Sequence, residues 1–101
     1  MKIRLLRSES NELRIEIEGE GHTFCNMLQK ALLEDEAIEM AGYDIPHPLM
    51  TKSIVYVRTM GSRRPETALQ DAAEKLRERS GELRKTLETA FEEHNKLTSG
   101  S

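Results

Sequence analysis

Polar and apolar residues take turns along residues 2–7 (KIRLLR) and 13–17 (LRIEI). In the second stretch Leu13, Ile15 and Ile17 fall on one side and Arg14, Glu16 and Glu18 on the other. That period of two predicts a half-buried β-strand. Ser8 to Glu12 is rich in turn formers, so the two stretches are expected to pair as an antiparallel hairpin. Gly19-Glu20-Gly21 then breaks the strand. The period changes next: apolar residues at 24, 27, 28, 31 and 32 recur in steps of three and four, one face of a helix. His22 or Thr23 should stand near its cap, and Glu34, Asp35 and Glu36 should fray its end, where the helix dipole disfavours negative charge. Strands are predicted again over Ala37–Tyr43 and Lys52–Met60. Within the latter, Ile54 to Val57 is apolar on both faces, as in an interior strand or one covered on both sides.

Past a linker at Gly61 to Arg64, Pro65 suits a first helical turn, where its missing amide is not needed. No proline interrupts the run from Glu66 to about Lys96, and Leu69, Ala73, Leu76, Ser80, Leu83, Leu87 and Ala90 alternate steps of four and three. This is a narrow seam of the coiled-coil type, widened by Ala72 and Phe91. A continuous helix over 66–96 would be about 45 Å long, whereas a compact chain of this length spans roughly 33 Å. Its first half is expected to pack on the sheet, and its second half to leave Leu83, Leu87 and Phe91 in water for a partner helix. The competing expectation is a kink at Gly81, which weakens a helix by about 1 kcal/mol relative to alanine. The order β-β-α-β-β-α describes an α+β domain, its helices gathered on one face of a small, mostly antiparallel sheet. The domain is expected to occupy residues 1–97, and the polar residues 98–101 to form a disordered tail.

Composition narrows the function. A chain of 101 residues allows one domain, of a size that is only marginally stable alone. A net charge of −3 with 33% charged residues is a mixed surface, not the basic face that grips a nucleic-acid backbone. Arg63, Arg64, Lys75, Arg77, Arg79, Arg84 and Lys85 are interleaved with acids, as on a solvated helix face. The single cysteine excludes an internal disulfide and fits a reducing cytoplasm. No apolar run approaches the ~20 residues of a membrane span, and MKIRLLRSES lacks the apolar core of a signal peptide. The expectation is a soluble cytoplasmic chain. Cys25 at a helix start beside His22 has the outline of an activated thiol. Nothing else in the sequence supplies an oriented base and donors for developing charge, so catalysis is not expected. His22, His47 and His94 lack metal-ligand spacing, and no cofactor is expected.

The segment Ala41 to Leu49, AGYDIPHPL, stands apart. Pro46 and Pro48 remove two donors and hold the backbone extended around His47, a stiff corner that ends a strand. Gly42 beside Tyr43 permits a bulge or a close backbone approach. Together with His22, Thr23, Asn26 and Leu28 in GHTFCNML, this segment resembles the subunit L family of archaeal-type RNA polymerases, the smaller of two subunits related to bacterial alpha. The resemblance covers roughly residues 2–96. Phe24 stands where leucine is usual, Cys25 where a small residue is common, and Gly21 where an acid is usual.

The resemblance implies an alpha-like dimerisation fold and a non-catalytic assembly subunit of DNA-directed RNA polymerase. It implies a heterodimer with the larger alpha-like subunit, on which the large catalytic subunits assemble; from charge and apolar pattern, no direct nucleic-acid or membrane contact is expected. The partner interface is expected at Phe24, Met27, Leu28, Ala31, Leu76, Leu83, Leu87 and Phe91. The family-motif surface is expected at His22, Thr23, Asn26, Gly42, Tyr43, Pro46, His47 and Pro48. The polar trio at the helix start has a plainer reading too, as cap and brace for that helix. A homo-oligomeric coiled-coil adaptor is the alternative function; it explains the seam but neither motif.

Overall fold

The computed structural model describes residues 1–46, 52–76 and 81–99. Strands β1 (Lys2–Ser8) and β2 (Glu12–Glu18) form the expected hairpin, and helix α1 (His22–Leu33) follows. Strands β3 (Ile38–Asp44) and β4 (Lys52–Thr59) come next. The sheet order is β1-β2-β4-β3, with every neighbouring pair antiparallel. Leu13, Ile15 and Ile17 stand opposite Val57, Val55 and Ser53 across the central pair, and all six are buried. The helices lie on that face, α1 toward β3. Ile54 and Tyr56 point the other way and are half buried. So β4 is interior by its place between β2 and β3, not by cover on both sides.

Two irregularities shape the edges. β1 shifts register between Leu5 and Arg7, and β3 between Ile38 and Met40. Such bulges twist an edge strand and spoil it as a template for further pairing.

The closing run corrects the sequence-based expectation of one long helix. It forms α2 (Pro65–Lys75) and α3 (Glu82–Ser99). Leu76 leaves the helix at ψ 131, and Gly81 takes a left-handed φ of 66, which glycine adopts without steric cost. The physical reason is the one that length anticipates: the chain measures 36 × 31 × 27 Å, too short to cover a straight helix of about 45 Å. Folded back, α3 lays Leu83 and Leu87 onto the common core beside β1, and neither is exposed to water. The α3 backbone also stays helical through Thr98 and Ser99, where a disordered tail was expected.

Candidate partner interface

Helix α1 carries half of the expected interface residues, Phe24, Met27, Leu28 and Ala31. It buries Cys25, Leu28, Ala31 and Leu32, while Phe24 is half buried against the core and Met27 is 47% exposed. Phe24, Met27 and Ala31 are spaced by three and four, so Met27 extends the apolar stripe past the edge of what the core covers. The helix is capped by Gly21 with no side-chain hydrogen bond. His22, Thr23 and Asn26 therefore do not cap it, contrary to the plainer expectation. Instead His22 Nδ1 lies 3.3 Å from the Tyr43 hydroxyl, with the two rings edge-to-face at 5.7 Å. That contact joins the two sequence motifs in space. Thr23 and Asn26 are exposed on α1, and Pro46 is exposed just past β3. His47 and Pro48 lie outside the described residues.

Gly42 has a steric explanation. A Cβ built there would come 2.5 Å from the Tyr56 hydroxyl oxygen and 2.6 Å from Cζ. Tyr56, its cross-strand partner, lies over the bare glycine backbone, so a side chain at position 42 would require the Tyr56 ring to move. On the helix side of β3, the Gln29 side-chain amide donates to the Ala41 carbonyl at 3.2 Å and ties α1 to the strand.

The expected interface residues divide in two. Met27 is exposed, and Phe24, Leu76 and Phe91 are half buried. Leu28, Ala31, Leu83 and Leu87 are buried in the chain's own core; Leu83 and Leu87 are not left in water, because α3 folds back over β1.

Cys25 is free and buried. Burial pushes its thiol pKa up, against a smaller downward pull from its hydrogen bond with Ser53. Ser53 is itself buried and donates to the Glu20 carbonyl at 2.7 Å. Among the described residues no cluster of three or more His, Cys, Asp or Glu could hold a metal ion, and no helix is long and apolar enough to cross a membrane.

One positioning group escaped sequence reasoning. Arg63 donates from Nε and Nη2 to Asp35 Oδ2 at 2.9 and 2.7 Å, and from Nη2 to Asp71 Oδ2 at 2.7 Å. Asp35 also accepts the Ala37 amide at 2.9 Å. This amide bond first, then Arg63, holds the carboxyl below its ordinary pKa. Asp71, then Asp35, raises the guanidinium's. The clip joins the turn after α1 to α2, and the Lys75–Glu34 pair at 3.2 Å adds a second tie. A turn acid and a linker arginine carry no sequence signal for such a role.

A four-stranded antiparallel sheet, helices on one face, and an apolar stripe running off the edge of α1 define a small α+β association domain. Residues 12–86 match the RNA polymerase Rpb3/Rpb11 dimerisation domain. The chain belongs to that family. It is 40% identical over 87 residues to the DNA-directed RNA polymerase subunit Rpo11 of Methanothermobacter thermautotrophicus, covering 86% of this chain and 99% of the relative. With Rpo11 of Saccharolobus solfataricus the identity is 47% over 77 residues, 76% of this chain and 84% of that one. The crystal structure of DNA-directed RNA polymerase subunit L from Thermoplasma acidophilum superposes with a TM-score of 0.66 at 25% identity, covering 99% of this chain and 94% of the other.

Proposed function

We propose that this chain is the smaller alpha-like half of a heterodimer whose other half is the larger alpha-like subunit of a cytoplasmic DNA-directed RNA polymerase. The chain is a non-catalytic assembly subunit: nucleotide addition belongs to other chains, and this one contributes a surface. The observation that carries the reading is the match of residues 12–86 to the Rpb3/Rpb11 dimerisation domain. The exposed stripe on α1 supports it physically. Met27 projects beside half-buried Phe24 and is 47% exposed, so covering the remaining half contributes roughly 1 kcal/mol. Leu76 and Phe91, both half buried against the core, are further proposed interface residues, Phe91 on α3 at the β1 side of the sheet, and the His22–Tyr43 pair forms a polar margin beside α1. The large catalytic subunits would then dock on the assembled pair. A homo-oligomeric adaptor leaves the family match without a cause.

The test is light-scattering mass on the chain alone, on the larger alpha-like subunit alone, and on their mixture. A 1:1 species weakened about tenfold or more by Met27→Glu is the expected result, since an exposed position can take a charge without unfolding the chain. A homodimer that ignores the candidate partner would sink the reading.

A further inference from the structure

Two strands bound the sheet, β3 beside α1 and β1 at the far side. Half the backbone N–H and C=O groups of an edge strand face away from its neighbour, where a further strand can pair with them. The register shift between Leu5 and Arg7 spoils β1 for this only past Leu5. Residues 2–5 keep unbroken register with β2, from Lys2 opposite Glu18 to Leu5 opposite Ile15.

A groove of about 540 Å³ runs along this straight part, and the four consecutive residues Met1, Lys2, Ile3 and Arg4 line it. Successive side chains of a strand point to opposite faces, so a groove on one face alone would be lined by every second residue. Consecutive lining means that the groove follows the open edge. Its other wall is α3, through Thr86, Thr89, Ala90 and Glu93, a single helical stripe at steps of three and four. The middle of that stripe is small, and the Thr86 hydroxyl already donates to the Glu82 carbonyl at 2.7 Å. Such a wall leaves room for apolar side chains beside it.

Charge decides between occupants. Lys2 and Arg4, both exposed, alternate with Ile3, which packs against the core, and so fall on the face away from the helices. Arg4 pairs with Glu16 at 3.5 Å while its side chain stays 71% exposed. Lys2 makes no ion pair among the described residues. Elsewhere in the groove Lys52 and Lys85 are set against Glu18 and Glu93. A second copy of this chain does not fit. Pairing β1 with β1 sets Lys2 or Arg4 opposite Lys2 or Arg4, and like charges directly opposite destabilise a sheet. A strand with acids at alternate positions meets both cations, while its apolar residues lie on the Ile3 side, next to α3.

We propose that the edge of β1 over residues 2–5 is a second docking surface. It receives an extended segment of another protein, with acidic and apolar residues in alternation, as a strand added to the four-stranded sheet. The surface lies at the opposite side of the sheet from the α1 stripe, so it does not depend on the heterodimer reading.

The test titrates the full chain into a fluorescein-labelled hexapeptide, Glu-Val-Glu-Val-Glu-Val, and reads anisotropy. The expected result is saturable binding, with hydrogen exchange slowed at the outward amides of residues 2–5. Lys2→Gln together with Arg4→Gln should weaken binding by about 3- to 30-fold through loss of two cross-strand charge pairs. A second arm needs no protein variant. Of two peptides N-methylated at alternate nitrogens, one on the glutamates and one on the valines, only one should bind, since a paired strand offers a single edge. Absence of saturable binding, or equal binding of Lys-Val-Lys-Val-Lys-Val, overturns the proposal. So does binding indifferent to the double substitution or to both N-methylations, or protection confined to β3 and α1.

Discussion

At the scale of single residues, Gly42 and Asp35 show how local chemistry holds the surface in place. Gly42 suits its place because the Tyr56 ring occupies the space a side chain would take. Gly42→Ala should therefore cost about 1–3 kcal/mol of stability by overpacking, and most of that cost should vanish in a Tyr56→Ala background, a coupling that a double-mutant cycle in urea would read directly. Equal costs in both backgrounds would refute the steric account. Asp35 makes a pH prediction. Its carboxyl is held below the ordinary 3.8 by the Ala37 amide and Arg63. The folded chain thus favours the ionised form more than the unfolded chain does. The resulting stability is fully present above the unfolded value and is lost as pH falls through the folded one. Asp35→Asn should flatten the fall in urea midpoint below about pH 4 relative to the parent chain. An unchanged acid limb would show that the Arg63 clip contributes nothing.

At the scale of elements, the strands and α1 were legible because period two and steps of three and four reach the surface of the sequence directly. Leu13, Ile15 and Ile17 had to share a face, and that face had to be buried. The break in the closing run was less legible, because local pattern and whole-chain geometry pull opposite ways there. The seam through Leu76 and Leu83 argues for one helix, while the shortness of the domain argues for a bend, and Gly81 lets the bend form. The Arg63 clip was not legible at all, since it joins residues far apart in sequence that share no motif. The placement of the proposed interface residues was partly legible: spacing put Phe24 and Met27 on one helical stripe, but it could not say that Leu83 and Leu87 find their cover inside the same chain. That placement is testable. Leu87→Ala should destabilise the isolated chain by about 2–5 kcal/mol, whereas Leu97→Ala, at a position 80% exposed, should change it by no more than about 0.5 kcal/mol. If urea unfolding of the free chain gives similar, small values for both, α3 does not close on the core in solution.

At the scale of the whole molecule, the sheet has one apolar face and three helical segments to cover it, yet Met27 and Leu33 on α1, and Met60 after β4, remain about half exposed. A domain of this size buries too little surface to be robust alone, so its fold and its assembly should be coupled. A partner that binds only the folded chain stabilises it by RT ln(1 + [L]/Kd), about 2.7 kcal/mol at a hundredfold excess over Kd. For a domain of about 100 residues this corresponds to a rise in melting temperature of roughly 10–20 °C. Titrating the larger alpha-like subunit against this chain, with the chain's own unfolding followed by a reporter fluorophore, should show that rise growing with the logarithm of partner concentration. On the proposed interface, Met27→Glu should displace the whole titration to higher partner concentration with little change in the melting temperature of the free chain, because Met27 is 47% exposed there. A melting temperature indifferent to the partner would mean that folding and assembly are uncoupled, and the exposed apolar stripe on α1 would then need another explanation.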